Sequence, residues 1–393
     1  MNVAELRADT PGCAYRVHFN NAGAALMPVP VIEAVRAHLE LESTIGGYEA
    51  EAQAQDAIHA SRAAVGELIG AAPDRIALLE HATAAFSAAL SSVPLGRGDV
   101  LVTTRDDYAS NQIQYLSLAR RFGIEVVRAP DAPEGGVDLM AMEEIIHRRR
   151  PKLVAVTHAP TSSGLLQDVC AIGAMCRPRD VLYLVDACQS VGQMPLDVEA
   201  IGCDFLAATA RKYLRGPRGV GFLYVSDRAL DDGLEPLFID MWGADWIEGD
   251  LYQPAPDARR FETWEFAWAL VLGMGAAARY ATAVGLEPIR NRARGLAGTL
   301  RERLAAVPGL RVLDRGRELG ATVSVAIEGK DPRELVRELR RRSINTSAQE
   351  RVYAVLDYDA KGVEGSLRIS PHYYNLESEI DTLLGALEEI LAD

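Results

Sequence analysis

The chain has 393 residues, 49% hydrophobic and 24% charged, with a formal net charge of −14. That length holds about two domains. The acidic balance argues against nucleic acid or an anionic membrane as partner, since both need a basic surface. The longest apolar run, near Phe266–Ala278, is broken by Gly273 and Gly275 and is too short to span a bilayer. The N-terminus MNVAELRADTPG has neither an apolar core nor a cleavage pattern, so a cytoplasmic protein is expected. Cys13, Cys170, Cys176, Cys188 and Cys203 form no CxxC pair and read as reduced thiols. The histidines form no HxxxH or HExxH pair, so no metal is expected.

In chain order, Asn20-Asn21-Ala22-Gly23 reads as a turn that approaches a ligand, or as a plain entry loop. Helical apolar spacing covers Pro28–Leu41 and Ala50–Ile69. Gly46-Gly47-Tyr48 between them reads equally as a substrate-facing loop or a simple connection. Arg75–Leu79 reads as a strand that runs into His81-Ala82-Thr83-Ala84, the start of a small-residue helix. Free N–H groups and the dipole at such a start suit phosphate. Unaided, Thr83 reads as an N-cap and His81 as structural. The strand Asp99–Thr104 leads through Arg105-Asp106-Asp107-Tyr108 to the helix Gln112–Arg121, and Tyr108 alone reads as a rim aromatic. Strand Ile124–Arg128, helix Leu139–Arg148 and strand Lys152–Thr157 continue the alternation. Such alternation implies a mainly parallel sheet with ligands beyond the carboxyl ends of its strands. His158-Ala159-Pro160-Thr161 sits at such an end.

The most informative stretch is Val181–Val225. Its apolar runs Val181–Val185, Phe205–Ala208 and Val220–Val225 read as buried strands. Asp186 lies just past the first run, and Lys212 just past the second. An acid and a lysine at neighbouring strand ends are what a pyridoxal phosphate site needs. The lysine forms a Schiff base with the aldehyde, and the acid keeps the ring nitrogen protonated. Taken alone, Asp186 is a turn acid and Lys212 an exposed lysine.

The pattern D-x-x-Q, then C-D-F, then K-x-x-x-G-P-x-G resembles class V of the fold-type I pyridoxal phosphate enzymes, which includes the cysteine desulfurases, the ergothioneine C–S lyases and the isopenicillin N epimerase-like proteins. The resemblance runs from about His18 to Leu391. It implies an α/β fold, with a large cofactor-binding domain over 18–265 built on a mainly parallel sheet. It also implies a small C-terminal α+β domain over 266–393, with residues 1–17 packing on it. By resemblance, Lys212, Asp186 and Tyr108 are catalytic, Tyr108 stacking on the pyridine face. Ala82, Thr83 and Ala84 form a phosphate cup, joined by Thr209 and Arg211, where many relatives have His in place of Arg211. Gln189 meets the phenolic oxygen, and His158 and Thr161 lie near the cofactor or substrate. Arg215 and Arg218 neutralise phosphate or a substrate acid, or are surface charges. Asn20, Asn21 and Arg368 hold the substrate carboxylate, Arg368 lying in R-x-S-x-x-x-Y-N.

Residues 233–265 read as irregular, with Trp242, Trp246 and Trp264 lining a pocket or packing a homodimer. Relatives carry a Gly-Thr-Pro-like turn where this chain has Phe261-Glu262-Thr263-Trp264-Glu265, and Thr263 is the nearest hydroxyl for a cross-subunit phosphate contact. Phe266–Ala283 and Glu287–Val307 read as long helices. Strands Arg311–Leu313, Thr322–Ile327 and Gly365–Ser370 and helices Pro332–Arg342 and Leu376–Ala392 follow.

Desulfurases carry a catalytic cysteine in the small domain, and this chain has none after Cys203. Lysine-assisted chemistry at Cα or Cβ remains. A C–S β-lyase acting on a cysteine S-conjugate is the leading expectation, and an aminotransferase, epimerase or decarboxylase the alternative. A nicotinamide enzyme lacks its G-x-G-x-x-G here.

Overall fold

The computed structural model describes residues 1–392. Its centre is a seven-stranded sheet. The strands are β1 (Ile76–Leu79), β2 (Val100–Thr103), β3 (Glu125–Arg128), β4 (Leu153–Thr157), β5 (Leu182–Asp186), β6 (Phe205–Thr209) and β7 (Gly221–Val225), in the spatial order β1-β7-β6-β5-β4-β2-β3. All neighbours run parallel except β7, which is antiparallel to both β1 and β6. Every strand but the edge strand β3 is buried on both faces, so each reads as an unbroken apolar run. Successive residues still serve opposite cores. Val154, Val156, Val185 and Leu206 join one cluster; Leu153, Ala155, Leu184 and Phe205 join the other.

A second sheet of four antiparallel strands has the order Leu310–Val312, Val323–Ile327, Gly365–Ile369, Ser347–Glu350. Helices Leu286–Ala305, Pro332–Arg341 and Glu377–Ala392 bury Leu300, Leu339 and Leu387 in its separate core. The strand Ser347–Glu350 has little apolar content, which is why periodicity misses it.

The helix Trp268–Val284 packs on helices Val29–Ile45 and Gly47–Ile69. Its Val271, Met274 and Ala277 are buried in a core of the large sheet. By packing, this helix sits with the large sheet, on the other side of the division expected between residues 265 and 266. We propose that the domain boundary lies after it, near Gly285. Gly275 is needed because a Cβ there would run into Ser61. The N-terminal segment ties several parts together. Arg7 donates to the Tyr374 carbonyl at 2.9 Å and pairs with Glu379, while Asp9 accepts from Tyr280 at 3.0 Å. Val17–His18 pairs in parallel with Ile344–Asn345.

Residues 233–265 are less irregular than their composition implies. Ala244–Glu248 and Leu251–Pro254 form an antiparallel hairpin. Its apolar residues are exposed, so no burial pattern marks it in the sequence.

Candidate active site

At the carboxyl ends of the central strands lies a cavity of about 270 Å³. Strand polarity explains its contents. β5 ends in Asp186, β4 in Thr157 and β6 in Thr209, with Lys212 three residues further on. Larger clefts open elsewhere, one of about 1140 Å³, but this cavity is the one at the carboxyl ends of the central strands, where Lys212, Asp186 and the start of the helix Ala82–Ser92 meet.

Asp186 Oδ1 accepts from the Cys188 N–H at 3.0 Å, and Oδ2 accepts from Asn111 Nδ2 at 3.1 Å. Lys212 is buried, and its Nζ lies 6.0 Å from the centroid of the Tyr108 ring. Burial lowers the Lys212 pKa, with the Arg211 and Arg368 charges adding to it and Asp186 opposing. A larger neutral fraction makes the amine a better nucleophile and base.

The helix Ala82–Ser92 starts at the cavity wall. His81 is its N-cap, and His81 Nδ1 accepts from the Ala84 N–H at 3.0 Å. The N–H groups of Ala82 and Thr83 stay free for an anion, and both residues line the cavity. Thr209, Arg211 and Arg218 line the cavity too. Arg211 is anchored on the Gly23 carbonyl, and burial lowers its pKa.

Gln189 Nε2 donates to the Ala22 carbonyl at 3.1 Å and to Thr161 Oγ1 at 3.0 Å, while its Oε1 is buried without a partner. Thr161 Oγ1 also accepts from Arg368 Nη1 at 2.7 Å. Both lone pairs of that hydroxyl are then used, so its hydrogen is left for a ligand.

Several expected residues take other places. Arg368 is set behind Thr161 rather than in the cavity wall. Its Nη2 donates to Asn20 Oδ1 at 3.2 Å and its Nε has no partner. Burial brings its pKa down to about 10. Asn20 thus positions the arginine. Asn21 is fully buried and spent on the fold: its Nδ2 donates to the Ser370 carbonyl at 2.7 Å and its Oδ1 accepts from Tyr374. It has nothing left for a substrate. The Ala84 N–H is taken by His81, and Ala84 lies outside the lining. His158 lines the 1140 Å³ cleft and not this cavity, whereas Thr157 before it lines this cavity. The His158 N–H donates to the Asp186 carbonyl at 2.9 Å.

Thr263 is exposed and outside the cavity of this chain. Its neighbour Glu262 is tied to Arg62, to the Leu78 N–H and to Trp242, which holds the segment at the edge of β1. Arg215 is fully buried, donates to Thr10 and Tyr373 at 2.6 Å each, and stacks 4.4 Å from the Tyr374 ring centroid. It neutralises no ligand. Trp242, Trp246, Trp264 and Tyr48 do not line the cavity.

Residue reasoning missed Asn111, Thr157 and Cys188, all in the lining. Asn111 had a signal. It stands three residues after Tyr108, one helical turn on, and so shares its face.

These groups fit pyridoxal phosphate. The free N–H pair suits its phosphate, the orphaned Gln189 Oε1 and the Thr161 hydrogen suit polar atoms of cofactor and substrate, and Asp186 suits the ring nitrogen. The family model described as aminotransferase class V matches residues 17–383. A probable cysteine desulfurase of Methanothermobacter thermautotrophicus is 28% identical, covering 99% of this chain and 98% of its own. One of Pyrococcus abyssi is 29% identical, covering 98% and 97%. The solved apo cysteine desulfurase of Thermococcus onnurineus superposes with a TM-score of 0.91 at 27% identity, over 98% of this chain and 97% of that one. The cofactor is pyridoxal phosphate, the fold is fold-type I, and the chain belongs to the class V aminotransferase family of enzymes.

Proposed function

We propose that the protein cleaves the Cβ–S bond of a cysteine S-conjugate, giving a thiol, pyruvate and ammonia with uptake of one water. The relatives are named cysteine desulfurases, so carbon–sulfur cleavage is common ground. One observation supports the lyase over a sulfur-transferring enzyme. Its small-sheet segment Ile344–Arg351 holds no cysteine, and Cys188 is the only cysteine in the cavity lining. Burial, and after it the Asp186 charge, push the Cys188 thiol up. A thiol held protonated is a poor acceptor of sulfur.

When bound, pyridoxal phosphate supplies an aldehyde for the substrate amine and a ring that takes up an electron pair. The chain's own residues do the rest. Lys212, with its pKa lowered by burial, takes the proton from Cα and delivers one to the leaving sulfur. Asp186, held from two sides, stabilises a proton on the ring nitrogen. The Thr161 hydroxyl, with Arg368 behind it, receives the substrate carboxylate. Ala82, Thr83 and Arg211 hold the phosphate.

The same reading carries a cytoplasmic homodimer. Phe238 and Trp246 are 87% and 81% exposed, and Leu237, Met241 and Leu251 are exposed too, apolar residues in and just before the hairpin that a partner subunit would cover. A solution mass of twice the 42.6 kDa chain, lost in Trp246→Glu, is expected.

The assay follows products. Equimolar thiol, pyruvate and ammonia from a cysteine S-conjugate support the lyase. Alanine with sulfane sulfur from free cysteine would replace it by a desulfurase. Turnover that requires a keto acid would replace it by an aminotransferase.

A further inference from the structure

We infer that Asp107 is a second carboxylate of the cofactor site: through Asn111 and Thr157 it fixes the aim of Asp186 and adds the negative charge that keeps the pyridine nitrogen protonated.

Asp107 lies in the loop after β2 and is 5% exposed. Its Oδ1 accepts from the Tyr108 N–H at 2.6 Å, from Asn111 Nδ2 at 3.2 Å and from the Thr157 hydroxyl. Its Oδ2 accepts from Thr103 Oγ1 at 3.1 Å and Gln112 Nε2 at 3.0 Å. The backbone N–H and the two amide nitrogens can only donate. Such donors stabilise the ionised form of the carboxylate.

Asn111 makes the link. Its Nδ2 carries two hydrogens and stands within hydrogen-bond distance of Asp107 Oδ1 and of Asp186 Oδ2, at 3.2 and 3.1 Å. Thr157, which pairs with Asp186 across β4 and β5, places its hydroxyl 3.4 Å from the same nitrogen. The Cys188 N–H secures Asp186 from the other side. The Asp186 carboxylate therefore cannot rotate without breaking the bridge.

Charge adds to geometry. The net effect of its surroundings is to raise the Asp107 carboxyl above the usual range, burial being the largest cause. Burial and the Asp186 charge push its carboxyl up, while Thr157, Gln112 and the Tyr108 N–H pull it down. The titratable groups that face Asp107 are Asp186 from β5 and Tyr115 from the helix Ala109–Phe122. Asp106 turns the other way, to Ser163 at 2.9 Å. Among the described residues no salt-bridge partner stands against Asp107, so its charge is offset by hydrogen-bond donors alone. Asp107 is a positioning residue, because it lies behind Asn111 and Thr157 and outside the cavity lining.

The test loads wild type, Asp107→Asn and Asn111→Ala with cofactor labelled by nitrogen-15 in the ring, and titrates the nitrogen signal by NMR. In both variants the ring nitrogen is expected to lose its proton about one pH unit lower than in wild type, with kcat down roughly tenfold and KM within about twofold. Circular dichroism and the melting temperature check folding. If these variants do not fold, Thr157→Val removes the bridging hydroxyl at nearly constant shape and is expected to shift the titration the same way. A folded Asp107→Asn whose ring nitrogen titrates as in wild type overturns the proposal, whatever happens to kcat. The readout reports on the ring nitrogen alone, so it does not depend on which substrate is cleaved.

Discussion

Lys212, Thr161 and Arg368 show how side chains of ordinary type acquire their roles from their surroundings. Lys212→Ala is expected to abolish turnover and the near-visible absorbance of the bound cofactor. Burial lowers the amine's pKa, so the rate of cofactor uptake by the apoprotein should rise with pH through a midpoint below the ordinary lysine value of about 10.4. A midpoint at the ordinary value would contradict a buried amine. Thr161 joins Gln189 to Arg368 through one oxygen. Thr161→Val removes that link and is expected to raise KM for the amino acid by roughly 10-fold or more, the scale of a lost hydrogen bond to a charged group, with the cofactor still bound. A larger effect on cofactor affinity than on KM would place Thr161 on the cofactor instead. Asn21 and Arg215 mark the opposite case. Polar groups near a site motif are here consumed by the fold.

At the scale of the element, the helix Ala82–Ser92 carries phosphate binding and is itself held by a side-chain cap. His81→Ala frees the Ala84 N–H and is expected to cost about 1 kcal/mol of stability. It should also raise the cofactor dissociation constant, measured by fluorescence titration. Strand Leu182–Asp186 shows why buried parallel strands are legible. Leu184 is fully buried, and Leu184→Ala is expected to cost about 2–5 kcal/mol in denaturant melts. The hairpin Ala244–Pro254 escaped sequence reasoning because a strand without a buried face has no alternation to read.

For the whole molecule, acid stability follows from buried histidines. Burial depresses the folded-state pKa of His18 and His158 to about 4 and of His372 to about 3, from 6.5. Above pH 6.5 each is neutral in both states and contributes nothing. As pH falls from 6.5 towards 4, the unfolded chain gains protons that the fold refuses. Stability therefore drops, by about 3 kcal/mol for each group whose pKa moves to about 4. His158→Gln should flatten part of that drop in urea midpoints measured from pH 7 to 4. An unchanged slope would mean that His158 is not protonated on unfolding in that range. The joint between β1 and the 233–265 segment is the other global prediction. Glu262 pairs with Arg62 and accepts from the Leu78 N–H, with both partners largely buried. Glu262→Leu leaves a buried guanidinium without its anion and is expected to cost about 3–5 kcal/mol.

The sequence by itself determined the alternation of strands and helices, the parallel sheet, and the acid and lysine at neighbouring strand ends. Burial on both faces leaves unbroken apolar runs, and the residues just past them fall at one edge of the sheet whatever the loops do. Only the tertiary structure decided which polar residues face the cavity. His158 and Thr157 are neighbours in the chain, yet they open on different clefts, because consecutive residues at a strand end point opposite ways. Asn21, Arg368 and Asp107 depend on partners up to 354 residues away in the chain. No local pattern records such a partner, since the fold alone brings its hydrogen-bonding groups within reach.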